Sequence, residues 1–133
     1  MFTTQQGYYI TFKFLDRYWE NVDRLRKYEE EDFTLVTIIS TMNPFDVNEP
    51  IPVDYAKYED WETVLRVTFG EKTSFTEREI YEAVLKYVKF FDKEYGFNLN
   101  DVIIDLEEND KLCISEMWNE VVEKACNYMK EIK

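Results

Sequence analysis

Apolar residues return at three- and four-residue steps along most of this chain, the spacing of helices that each bury one face. The clearest run is 76–95, where Ile80, Ala83, Val84, Tyr87, Val88, Phe91 and Tyr95 share a stripe. Thr76-x-x-Glu79 supplies a capping box at its start, with Ser74-x-x-Glu77 competing for that role, and Gly96 supplies a left-handed stop. A second stripe over 115–132 holds Trp118, Val121, Val122, Ala125, Met129 and Ile132, with Ser115 as the expected cap. Between them, VIIDL read alone suits a buried strand. Leu99, Val102, Ile103 and Leu106 nevertheless share one helical face, which predicts a short helix capped by Asn98 or Asn100. Residues 54–69 place Tyr55, Tyr58, Trp61, Val64, Leu65 and Thr68 at helical spacing between an Asp54 cap and Gly70.

The N-terminal third is more ambiguous. Over 8–29, Tyr8, Phe12, Leu15, Tyr18, Trp19, Val22 and Leu25 form a helical stripe, while YYITFKF by itself has the composition of a strand. FTLVTIIS, 33–40, fits either a β-branched strand or a buried helix capped by Asp32 and ended before Pro44. NPFDVNEPIPVD holds all three prolines and reads as a connection within a domain. The expected fold is mainly α. It is a single-domain helical bundle over 1–133, with room for a small strand element in the N-terminal half that would make it α+β. Tyr87, Phe91, Trp118 and Val122 are expected in its core, and Tyr58 and Trp61 lie on an apolar stripe.

Composition supports folding: the 133 residues are 45% apolar and 17% aromatic, ample material for one core. Charge narrows the partners. With 28 acids against 16 bases the net charge is -12, which repels phosphate backbones and anionic lipid and favours cationic partners. The segment MFTTQQGYYITF has neither the basic start nor the apolar run of an export signal, and no stretch is apolar enough to cross a membrane. A soluble, cytoplasmic protein is expected, with Cys113 and Cys126 as reduced thiols. The chain has no histidine and only three glycines, which removes the common general base, most zinc sites and any glycine-rich phosphate cradle. Neither catalysis nor a cofactor is expected.

The stretch DLEENDKLCISE, 105–116, imitates a calcium loop, with Asp105, Glu107, Asn109 and Glu116 at places one, three, five and twelve. Place six is Asp110 where such loops carry glycine, and no second loop pairs with it, so a solvated acidic connection is the better reading.

TEREIYEAVLKYVKFF, then NLNDVIIDL, an acidic turn and SEMWNEV together resemble the immunity proteins of bacterial contact-dependent growth inhibition systems. The matching positions are Thr76, Glu77, Glu79, Tyr81, Ala83, Tyr87, Phe91, Leu99, Val102, Ile103, Asp105, Leu106 and Trp118, within residues 76–121. Departures fall at Phe97-Asn98, Asp110-Lys111 and Ile114-Ser115. The resemblance implies a non-catalytic cytoplasmic protein that binds and neutralises one cognate toxin domain, often a nuclease; a monomer forming a 1:1 complex is expected. The alternative is a helical adaptor or regulatory interaction module. Independently of the resemblance, an acidic surface suits the basic cleft of a nuclease. Candidate partner contacts are Glu29, Glu30, Glu31 and the adjoining Asp32, then Asp46 and Glu49, then Glu107, Glu108 and Asp110, for each of which solvated surface is the plain alternative. Tyr55, Tyr58 and Asp60 make a further candidate patch, since binding hot spots favour aromatics ringed by polar groups.

Overall fold

The computed structural model describes residues 1–23, 34–42, 55–108 and 114–131. In them lie six α-helices: α1 Thr4–Tyr18, α2 Thr34–Met42, α3 Tyr55–Phe69, α4 Glu77–Glu94, α5 Asn100–Glu107 and α6 Ile114–Glu131. Helix α1 is the hub, packing against α2, α3, α4 and α6, while α4 also packs on α3 and α5. No strand occurs among the described residues. Their one β-type pairing is an isolated antiparallel bridge, in which Phe2 and Phe75 exchange N–H···O bonds of 2.7 and 2.8 Å. No helix among these residues is long and apolar enough to cross a membrane.

The described parts of both ambiguous N-terminal segments, 8–23 and 34–40, are helical, and local bonds explain the first. The Gln6 N–H donates to Thr3 Oγ1 (3.1 Å) and the Thr3 N–H to Gln6 Oε1 (3.0 Å), a capping box that starts α1 before YYITFKF begins. The helix therefore begins earlier than the apolar stripe suggests, and its phase differs. Gly7, Tyr8, Ile10, Thr11, Phe14, Leu15 and Tyr18 are buried, whereas Phe12 and Trp19 are half-buried. Trp19–Asp23 then widens into a π-helical turn. There the Asn21 side-chain amide donates to the Arg17 carbonyl at 2.8 Å, inserting a side chain into the backbone ladder. In α2, burial of Leu35, Ile38, Ile39 and Met42 at steps of three, one and three overrides the strand preference of its β-branched residues. The proposed Asp32 cap lies outside the described residues.

The later helices follow their stripes, with corrections at their ends. Thr76, not Ser74, caps α4: the Glu79 N–H donates to Thr76 Oγ1 (3.1 Å) and the Thr76 N–H to Glu79 Oε1 (2.9 Å). Neither Asn98 nor Asn100 caps α5. Leu99 occupies the cap position with no side-chain cap bond, and its own N–H donates to Asp92 Oδ1 on α4 at 2.9 Å. Ser115 lies inside the first turn of α6 because the helix already begins at Ile114. Tyr95 leaves the buried stripe: α4 stops at Gly96, whose φ of 68° is left-handed, and the Tyr95 ring is 49% exposed.

Aromatic rings fill the core and tie the helices together. Trp61 meets Tyr87 edge-on at 5.4 Å, and Trp118 meets Phe14 at 5.1 Å and Tyr81 at 5.0 Å. Their polar tips cross between elements, satisfying groups that burial would otherwise strand. The Tyr8 hydroxyl donates to the Met42 carbonyl (3.1 Å), Trp61 Nε1 to Thr4 O (3.1 Å), the Tyr87 hydroxyl to Lys57 O (2.7 Å) and the Tyr81 hydroxyl to Leu106 O (2.7 Å). Burial pushes the Tyr87 phenol well above its ordinary range. Among the described residues, no buried side-chain nitrogen or oxygen lacks a partner. Gly7 lets α1 sit this close, because a Cβ there would fall 2.7 Å from Ile80 Cδ1 and 3.2 Å from Trp61 Cζ2.

Candidate interaction surface

Helix α5 buries Val102 and Leu106, half-buries Ile103 and Asp105, and turns its remaining face outward. Asp101, Glu107 and Glu108 are exposed, and so is Ile104, at 43%. Steps of three and four residues place Asp101 one turn before Ile104 and both glutamates one turn after it, so an apolar side chain stands within an acidic rim. No basic residue interrupts 97–110. Glu107 and the C-cap Glu108 also lie at the end of the helix where the backbone dipole is negative, a position that disfavours carboxylates and adds to the local negative potential. Lys89 Nζ approaches Glu107 at 3.3 Å, an exposed pair that contributes little to stability.

The same helix rearranges the apparent calcium window. Asp105 and Glu107 are helical residues two apart, about 200° around the axis. Asp105 accepts a hydrogen bond from the Tyr18 hydroxyl while Glu107 faces Lys89, so the two do not converge on a shared ligand. Residues 109–113 lie outside the described set.

Of the other candidate contacts, Glu29, Glu30, Glu31, Asp32, Asp46, Glu49 and Asp110 also lie outside it, as does the side chain of Tyr55. Tyr58 is buried, edge-on to Tyr8 at 5.1 Å, and offers a partner little surface. Asp60 is half-buried and accepts the Tyr95 hydroxyl at 2.9 Å. The aromatic neighbour of Asp60 at the surface is thus a residue 35 positions away, beside which stands Phe97, 37% exposed.

A groove of about 380 Å³ runs between α1 and α6, lined by Tyr9, Lys13, Asp16, Arg17, Glu20, Val121, Lys124, Ala125 and Tyr128. Its charges are mixed: Arg17 pairs with Glu120, and Lys13 stands 5.7 Å over the Tyr9 ring. Desolvation, then the neighbouring Glu20, raises the Asp16 carboxyl, with Lys13 opposing. The lining thus carries three basic and two acidic side chains, with Arg17 already paired to Glu120.

Sequence reasoning missed Ile104, Tyr95 and Phe97. Ile104 was visible as the apolar residue off the 99, 102, 103, 106 face, and Phe97 as an aromatic beyond the helix stop. Compared with protein-family models, curated proteins and solved structures, the chain matches none.

Proposed function

We propose that this protein is an immunity protein that binds and neutralises the toxin domain of a contact-dependent growth inhibition system, acting in the cytoplasm as one copy per toxin. The observation that carries the reading is the outer face of α5, where Ile104 stands within Asp101, Glu107 and Glu108. An apolar centre with a charged rim is the usual anatomy of a specific protein interface. The resemblance of residues 76–121 to such immunity proteins covers α4, this helix and the first two turns of α6.

A nuclease must hold a polyanion, so its cleft is basic. A -12 protein is drawn to such a cleft over distance, and the rim then sets the register in which Ile104 enters an apolar contact. Inhibition follows from occupying or covering the surface the substrate needs, with no chemistry by the inhibitor.

Co-expression tests the reading. The C-terminal domain of a large exported protein encoded immediately upstream should kill cells alone and be harmless with this protein. Killing that continues undiminished with this protein present in soluble form contradicts it.

A further inference from the structure

We propose that Tyr18, Tyr81 and Asp92 are positioning residues for the outer face of α5, holding that helix from two neighbours so that a basic partner meets Ile104, Glu107 and Glu108 already in register. The inference rests on the preceding reading for the partner, while the holding of α5 is measured without one.

Helix α5 has little to sustain it alone. It is eight residues long, about two turns, and isolated helices shorter than about 12–15 residues are marginal in water. Val102 and Leu106 are its buried side chains, and Leu99 at its cap position makes no side-chain cap bond. Asp101 suits the first turn, but Glu107 and Glu108 at the other end oppose the backbone dipole.

Three bonds from α1 and α4 supply what α5 lacks. At its start, the Leu99 N–H donates to Asp92 Oδ1 on α4 at 2.9 Å. At its end, the Tyr81 hydroxyl on α4 donates to the Leu106 carbonyl at 2.7 Å, one of the last-turn acceptors that a helix leaves unpaired. From α1, the Tyr18 hydroxyl donates to Asp105 Oδ2, on the residue that follows Ile104. The two hydroxyls are themselves fixed: Tyr18 is buried, and the Tyr81 ring lies edge-on to Trp118 at 5.0 Å and tilted against Phe14 at 6.0 Å. Anchorage from two helices sets the rotation of α5 about its axis. A rotation by one residue step, about 100°, would swing Ile104 and the two glutamates together off the exposed side. Holding the face in advance removes its ordering cost from association.

Native-state hydrogen exchange of the whole protein, followed by NMR, reads the holding directly. The reporters are the amides of Ile103 and Glu108, which close α5 onto the carbonyls of Leu99 and Ile104. Tyr18→Phe and Tyr81→Phe keep their rings and should each speed exchange about three- to tenfold, the weight of one hydrogen bond. Asp92→Ala should do the same, and Asp92→Asn, which keeps an acceptor oxygen, should restore most of the protection. In Tyr87→Phe, whose hydroxyl bonds the Lys57 carbonyl on α3, both reporters should keep their parent rates because α5 opens locally. Against the toxin domain encoded immediately upstream, Tyr18→Phe/Tyr81→Phe/Asp92→Ala should associate about tenfold more slowly, since only the held form of α5 meets it. Parent exchange rates in the three single variants would overturn the proposal, as would equal acceleration in Tyr87→Phe. Toxin association that is undiminished in the triple variant but weakened by Ile104→Ala would overturn it too. Faster α5 exchange in a protein whose parent gives no protection from the toxin would count against the immunity reading alone.

Discussion

Trp118 is 6% exposed, edge-on to Phe14 and Tyr81, and its indole N–H donates to Glu77 Oε1 at 3.1 Å. The side chain thus joins α1, α4 and α6, and its removal leaves a cavity that rigid neighbouring rings cannot readily fill. Trp118→Ala should cost about 3–5 kcal/mol, read as a lower urea midpoint with little change in slope; a parent-like midpoint would contradict its place in the core. The sequence stripe showed that Trp118 faces inward, since one face of a helix must be apolar for the bundle to form. It did not show which rings Trp118 meets, because Phe14 lies more than a hundred residues away and only the packing of α1 on α6 brings it there. Tyr95 failed in the opposite direction. It continues the helical period of α4, but the left-handed Gly96 ends the helix beside it and the ring turns into solvent.

Among the elements, α4 was the most legible because apolar period, cap and stop all agree. Thr76→Ala should cost about 1 kcal/mol, since it leaves the Glu79 N–H without its side-chain acceptor, while Ser74→Ala should leave thermal stability close to that of the parent. Equal losses in the two variants would contradict the assignment of the cap. Helices α1 and α2 were harder to read because intrinsic preference and tertiary burial conflict there. In α1 the Thr3–Gln6 capping box lies ahead of the strand-like aromatic run and decides in favour of helix. In α2 the decision comes from the core side chains that receive Leu35, Ile38, Ile39 and Met42, information that no window of eight residues contains. The start of α5 was misread because asparagines suggest caps, whereas the bond at that turn comes from Asp92 on a different helix.

For the whole molecule, the net charge of -12 favours a cationic partner but marks no one place on the surface for it. Acids are so frequent that abundance alone singles out none; the structure singles out Glu107 and Glu108 by setting them around an exposed isoleucine at the negative end of a helix. Asp60 was legible as an acid near aromatics, yet its surface aromatic came from another helix. The most direct measurement compares binding of the proposed partner, the toxin domain encoded immediately upstream, by the parent and by Ile104→Ala/Glu107→Gln/Glu108→Gln, with association and dissociation rates recorded across salt concentrations. All three side chains are exposed, so the variant should fold as the parent does. The parent should associate fastest at low salt, and the variant should show a shallower salt dependence and about tenfold or more weaker affinity. Identical affinity and salt dependence in a variant that still neutralises the toxin would contradict recognition through α5.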